Sequence, residues 1–186
     1  MKVSTERPGP PITYHEYVLL PQDRNRYEVL DGELYMTPSP TYLHQWVVMA
    51  LAAALHDHTS QHGLGAVLTA PIDVVLSETT IVQPDILFIR ASRVPAATAK
   101  NITTVPELIV EVVFPSSAEQ DRVDKMRAYA RHGVPHYWIA DPEARTLEMY
   151  ALSNAGFELT AHFASDATAT SPLFPGLVIP LSRFWL

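Results

Sequence analysis

Residues 106–140, PELIVEVVFPSSAEQDRVDKMRAYARHGVPHYWIA, decide the architecture. The run Leu108–Val113 is almost unbroken aliphatic and β-branched, the composition of a strand covered on both faces. Ser117 with Gln120 reads as a capping box that opens a helix, and Gly133 reads as its stop. The stretch VPHYWIADP then predicts a second strand, closed by the turn at Asp141–Pro142. A strand, a helix and a strand in succession can close as a right-handed crossover with the two strands parallel. The expected fold class is therefore α/β or α+β, with a mixed central sheet flanked by helices.

That first strand contains an anomaly. Side chains alternate, so Leu108, Val110 and Val112 share one face while Ile109, Glu111 and Val113 share the other. Glu111 thus points into an aliphatic layer. A second run, QPDILFI (residues 83–89), repeats the pattern, with Asp85 on the face of Leu87 and Ile89. An unpaired buried carboxylate costs several kcal/mol or takes up a proton, so both acids need partners. A divalent cation between neighbouring strands satisfies both at once. With oxygen ligands and no cysteine, Mg2+ or Mn2+ is favoured over a structural zinc. Plainer partners stay open: turn amides for Asp85, which follows Pro84, and an arginine for Glu111.

On the helix after Glu111, Lys125 stands one turn from Asp121, the spacing of an ordinary surface ion pair. Val123, Met126 and Ala130 are expected to pack on the sheet, with Lys125 and Tyr129 beside that stripe. From there the lysine stem could snorkel to the sheet's end, where its charge could orient a water or neutralise a phosphoryl oxygen. His56, His58 and His62 invite a zinc reading, but a helix C-terminus attracts histidines for its own field.

Working outward, residues 1–12 form a proline-rich arm, expected to be flexible, on a single domain spanning residues 1–186. Thr13–Pro21 predicts a short helix capped by Thr13 with Glu16. Tyr27–Leu30 and Glu33–Met36 predict a hairpin turning at Asp31–Gly32. The longest helix is expected over about Tyr42–Ser60, its nearly all-apolar middle implying burial between layers. GAVLTAPIDVVLS reads as one strand, and TLEMYALSNAGFELTAHF as a hairpin around Ser153–Gly156. The tail SPLFPGLVIPLSRFWL is too apolar to be free and should dock on the body.

Apolar residues are 47% and charged residues 18% of the 186, enough for one hydrophobic core and far from a disordered composition. The absence of cysteine excludes disulfides and thiolate metal sites, and suits a reducing compartment. The longest apolar run, WVVMALAAAL, is half a membrane span, and the first residues show no signal-peptide core, so a soluble cytoplasmic protein without membrane contact is expected. A net charge of -7 argues against a non-specific nucleic-acid coat, though a cation-collecting nuclease site is itself acidic.

The motifs RYEVLDGELYMTPSPTYLHQ, IVQPDILFI and the segment from PELIVEVV to ADP, in this order, resemble the bacterial family of putative restriction-endonuclease domains. That family lies in the PD-(D/E)XK nuclease superfamily, and the resemblance runs from about Thr13 to Tyr150. It implies a restriction-endonuclease-like core and an endodeoxyribonuclease dependent on Mg2+ or Mn2+. Carried over by position, Asp85 and Glu111 would be catalytic metal ligands and Glu28 a further acid at the metal. The lysine usually two places after the second acid is Val113 here, so Lys125 would replace it. His44–Gln45 also matches a family motif, and Glu33 is ambiguous. Phe114 departs from the family's usual hydroxyl, and Val105 from its usual glycine. Arg26, Arg122 and Arg127 are candidates for holding phosphates of the DNA partner, and a homodimer would supply two sites for a duplex. The rival readings are an inactive nucleic-acid-binding or scaffold protein, and a metal-dependent phosphoesterase on another substrate.

Overall fold

The computed structural model describes residues 9–21, 23, 25–37, 39–114 and 118–185. A four-residue helix α1 (Tyr14–Tyr17) is capped as expected, Glu16 accepting from the Thr13 amide at 2.8 Å. The hairpin β1 (Arg26–Leu30) and β2 (Glu33–Thr37) turns at Asp31 and Gly32, whose positive φ values of 53° and 82° are those of a two-residue type I′ turn. Helix α2 (Tyr42–Gln61) follows, then β3 (Gly65–Thr69), β4 (Val74–Ser77), β5 (Thr80–Val82), β6 (Ile86–Arg90) and β7 (Leu108–Val112). A π-helical segment, Gln120–Lys125, runs directly into α3 (Met126–Arg131). The chain closes with β8 (His136–Asp141), β9 (Thr146–Ser153), β10 (Gly156–Ala164), β11 (Thr168–Ala169) and β12 (Ile179–Pro180).

Six strands form the main sheet, in the order β10-β9-β8-β7-β6-β3, and β7 and β8 are its parallel pair. This is the crossover read from residues 106–140. A smaller antiparallel sheet, β2-β1-β5-β4, lies beside it. On one face of the main sheet, Phe88, Val110 and Trp138 pack against Val47, Leu51 and Leu55 of α2 and against Phe174, Ile179 and Leu181 of the tail. On the other face, Ile89, Ile109 and Tyr137 meet Ala128 and Tyr129 of α3 and Leu30 and Val82 of the smaller sheet. Each fully buried aliphatic side chain here contributes roughly 1.5–3 kcal/mol relative to exposure. The tail docks as its composition requires, and the Trp185 indole donates to the Ser165 carbonyl at 2.7 Å.

Four expectations need correction. GAVLTAPIDVVLS is two strands in two sheets, β3 and β4, separated at Ala70–Pro71 where proline offers no amide to a ladder. Helix α2 is not enclosed: it buries one stripe and leaves Trp46 and Met49 exposed, because the layer beyond it is absent among the described residues. On the third helix the buried side chains are Asp121, Lys125, Ala128 and Tyr129, while Val123 is exposed. Apolarity misjudged that face because the strand beneath it carries Glu111, which Lys125 and Tyr129 reach. Finally, Ile12, placed in the arm, donates to the Gly32 carbonyl at 2.9 Å and so is tied to the hairpin turn. Residues 1–8 and the Ser117 cap lie outside the described residues.

Candidate active site

The antiparallel register of β6 and β7 pairs Ile86 with Val110, so the next residues outward, Asp85 and Glu111, face each other. The Asp85 amide lies 3.5 Å from Glu111 Oε2. Asp85 Oδ2 accepts from the Val112 amide at 3.0 Å and lies 3.0 Å from His44 Nε2. His44 sits in the first turn of α2, where the Thr41 side chain accepts from its amide. Its ring stacks on Phe114, with centroids 4.6 Å apart and planes at 10°. The residue that departs from the family pattern thus builds the wall behind the histidine.

Lys125 reaches the same place. Its Nζ lies 3.1 Å from Glu111 Oε1, 3.1 Å from Glu28 Oε2 and 3.4 Å from Asp121 Oδ1, with only 5% of the residue exposed. The pair with Asp121 is therefore real but buried, not the surface contact its spacing suggested. The π-helical turn carries both residues, and such turns re-aim side chains relative to a regular helix. Tyr129 donates to Glu111 Oε1 at 2.7 Å. Glu28, from β1, accepts from the Gln83 amide at 2.8 Å and from Thr37 at 3.3 Å. All four carboxylates, Lys125, His44 and Arg26 line one cavity of about 420 Å³.

Electrostatics there are crowded. Burial pushes Glu111 up to about 8, Lys125 counteracts, and Asp85, Asp121 and Glu28 push it further up. Burial would also raise Asp85, but the His44 and Val112 hydrogen bonds, with the charge of Lys125, hold it below the usual carboxylate range. Burial alone would lower Lys125, yet Glu111, Glu28, Asp121 and Asp85 hold it well above its ordinary value, so it stays charged. Once Glu111 gives up its proton, as ion binding requires, four carboxylates face two cations, Lys125 and Arg26, and the cavity is formally acidic by two charges. A divalent cation suits that imbalance.

The donor set narrows how an ion could be held. Asp85 Oδ1 has Arg26 at 3.7 Å, and Glu111 Oε2 has the Asp85 amide at 3.5 Å, both too long for good hydrogen bonds. Those two oxygens could take a cation. Both oxygens of Glu28 are engaged, by Gln83 and by Lys125 with Thr37. Among the described residues no three acids or histidines already converge as a metal cluster, so water would complete the coordination, as magnesium commonly allows.

Of the arginines weighed for phosphate, Arg26 lines the cavity. Arg122 is paired with Glu148 at 2.5 Å and Asp141 at 3.3 Å, and Arg127 lines a separate groove beside Asp31 and Asp124. His58 and His62 lie with ring centroids 4.3 Å apart and planes tilted by 31° at the far end of α2. Sequence reasoning missed Asp121 and Tyr129 as parts of the site and gave His44 no role. For His44 a signal existed in the matched His44–Gln45 motif. For Tyr129 the signal was its place one turn after Lys125 on the same helix, and the fold brings it to Glu111.

The model of the Uma2 family, described as putative restriction endonuclease, matches residues 14–182. The chain belongs to the Uma2 family. Among solved structures, this Uma2 protein is similar to a putative nuclease belonging to DUF820 from Anabaena variabilis ATCC 29413. The identity is 19% and the TM-score 0.80, over 94% of this chain and 98% of that one. At that identity the likeness is one of fold, and it agrees with the restriction-endonuclease-like core expected from the motifs. No curated protein matches the chain.

Proposed function

We propose that this Uma2 protein is a divalent-metal-dependent endonuclease that hydrolyses DNA phosphodiester bonds, with Mg2+ or Mn2+ as the cofactor. The observation that carries the proposal is the facing pair Asp85 and Glu111 with the Lys125 ammonium 3.1 Å from Glu111. Asp85 and Glu111 offer one lightly engaged oxygen each to the ion. When bound, the ion would polarise the phosphodiester and lower the pKa of a water. Lys125, held charged and buried, stabilises negative charge developing on a phosphoryl oxygen or orients the attacking water. Glu28 acts through Lys125, fixing the ammonium in place. Arg26, 3.7 Å from Asp85, is placed to hold a phosphate of the incoming strand. His44 fixes the orientation of Asp85, as a hydrogen-bonded neighbour does for a metal-binding carboxylate.

No described helix is long and apolar enough to cross a membrane. A chain without cysteine suits the reducing cytoplasm, where we place the protein. Cutting both strands of a duplex calls for two such sites, and we read a symmetric homodimer as the assembly, testable by light scattering. The deciding experiment is cleavage of supercoiled, linear and single-stranded DNA at low salt, with Mg2+, Mn2+ or chelator. Cleavage should require metal and vanish in Asp85→Ala and Glu111→Ala. Cleavage surviving in either variant would mark a contaminant. A folded protein that binds metal through both acids and cuts nothing would overturn the nuclease reading.

A further inference from the structure

Next to the acidic cavity, on the other side of Gln83, lies a second groove of about 460 Å³ walled by Tyr14, Tyr17 and Tyr27. Tyr14 and Tyr17 stack with centroids 6.3 Å apart at 23°, both half-buried, and so present ring surface to the groove. Its polar groups are set by a network. Tyr17 donates to Asp73 Oδ1 at 2.7 Å, and the Gln83 side-chain amide donates to the same oxygen at 2.8 Å and to the Tyr17 hydroxyl at 3.2 Å. The other carboxylate oxygen of Asp73 is an acceptor suited to the amino or imino N–H of a base. Lys100 supplies an exposed positive charge at the rim.

Gln83 belongs to both sites. Its backbone amide holds Glu28 at 2.8 Å and its carbonyl accepts from Arg26 at 2.6 Å, while its side-chain oxygen accepts from Arg26 at 3.2 Å and its side-chain nitrogen reaches Tyr17 and Asp73 in the groove. It stands two residues from Asp85, at most about 7 Å along an extended chain. A nucleotide strand advances about 3.4 Å per step in a duplex and more when stretched, so the backbone spacing of Gln83 and Asp85 corresponds to about two steps. Aromatic faces with a carboxylate at the edge, and one cation, match a base with its phosphate. A base seated there has its edge and faces taken by protein, so it cannot be paired or stacked in a duplex.

Resting on the nuclease reading above, we propose that the Tyr14–Tyr17–Tyr27 groove binds one unpaired nucleobase of the substrate strand, a step or two from the phosphate held at Asp85 and Glu111. Substrates with a flexible single-stranded stretch at the cut then bind in preference to blunt, fully paired DNA.

The probe is a short duplex with a three-nucleotide gap carrying 5-iodo-deoxyuridine, mixed with the full chain at low salt and with chelator, irradiated, and mapped by mass spectrometry. The expected adducts are on Tyr14, Tyr17 or Tyr27. Adducts elsewhere on a protein that still cuts DNA overturn the groove and leave the nuclease reading intact. Adducts on the tyrosines without any cleavage support the groove and count against the nuclease reading. No bound DNA with chelator overturns the groove, and no cleavage when Mg2+ or Mn2+ is then supplied overturns the nuclease reading as well. In parallel, Tyr14→Ala should weaken binding of the gapped probe about tenfold, the lower range for loss of a base stack, with blunt-duplex binding unchanged. Tyr14→Phe, which keeps the ring and loses only the bond from Asn101, should bind like the native protein. Equal affinity of Tyr14→Ala and native chains for the gapped probe, or equal weakening for both DNAs, overturns the proposal.

Discussion

Glu111→Gln should stabilise the metal-free protein, and do so more as pH rises. Glu111 is 2% exposed, and its proton is retained up to about pH 8 instead of the ordinary 4.5. In that interval the folded state binds a proton the unfolded state has lost, so stability falls as pH rises. At 1.36 kcal/mol per pKa unit, the native protein loses about 3–4 kcal/mol between pH 5 and pH 8 through this group. Glutamine keeps the shape and an acceptor for Tyr129 and Lys125, and does not titrate. His132 and His136, whose burial lowers them, titrate equally in both proteins, so the difference between the two melting temperatures isolates Glu111. For a chain of this size that difference should grow by roughly 6–16 °C from pH 5 to pH 8. The assay is a circular-dichroism melt at several pH values with chelator present. Adding Mg2+ or Mn2+ at pH 8 should raise the native melting temperature and leave the glutamine variant where it was. A temperature difference independent of pH would refute the picture of one proton held by crowded acids.

Lys125→Met should abolish cleavage and also destabilise the fold by about 3–5 kcal/mol at neutral pH, because buried Glu28 and Asp121 lose their cation and Glu111 loses a hydrogen-bond donor. A melt unchanged from native would return the lysine to the surface pair that its spacing with Asp121 suggests. His44→Ala should weaken metal binding by about 10- to 100-fold in calorimetry, since Asp85 Oδ2 loses its ring partner. Unaltered affinity would show that Val112 alone suffices to hold the acid. Chelation should leave a cooperative melt, because two apolar layers rather than an ion hold the sheet; loss of the folded transition would mean that a structural ion had been mistaken for a catalytic one.

Local pattern carried much of the fold. The aliphatic runs around Asp85 and Glu111, the Asp31–Gly32 turn, the long helix from Tyr42 and the apolar tail each encode their element within a few residues, and the structure has them. The alternation of side chains along a strand also told which way both acids point, since that follows from backbone geometry alone. What lies opposite an acid depends on residues distant in sequence. His44, Lys125 and Tyr129 are 41, 14 and 18 residues from the carboxylates they touch. Burying a charge is costly unless partners converge on it, and convergence is a property of packed layers, not of spacing. Hence Val123 reads as core and is exposed, while Asp121 reads as surface and is buried. The sequence by itself determined the strands, the turns and the two acids that needed an explanation. Only the tertiary structure decided that one lysine, one histidine and one tyrosine supply it.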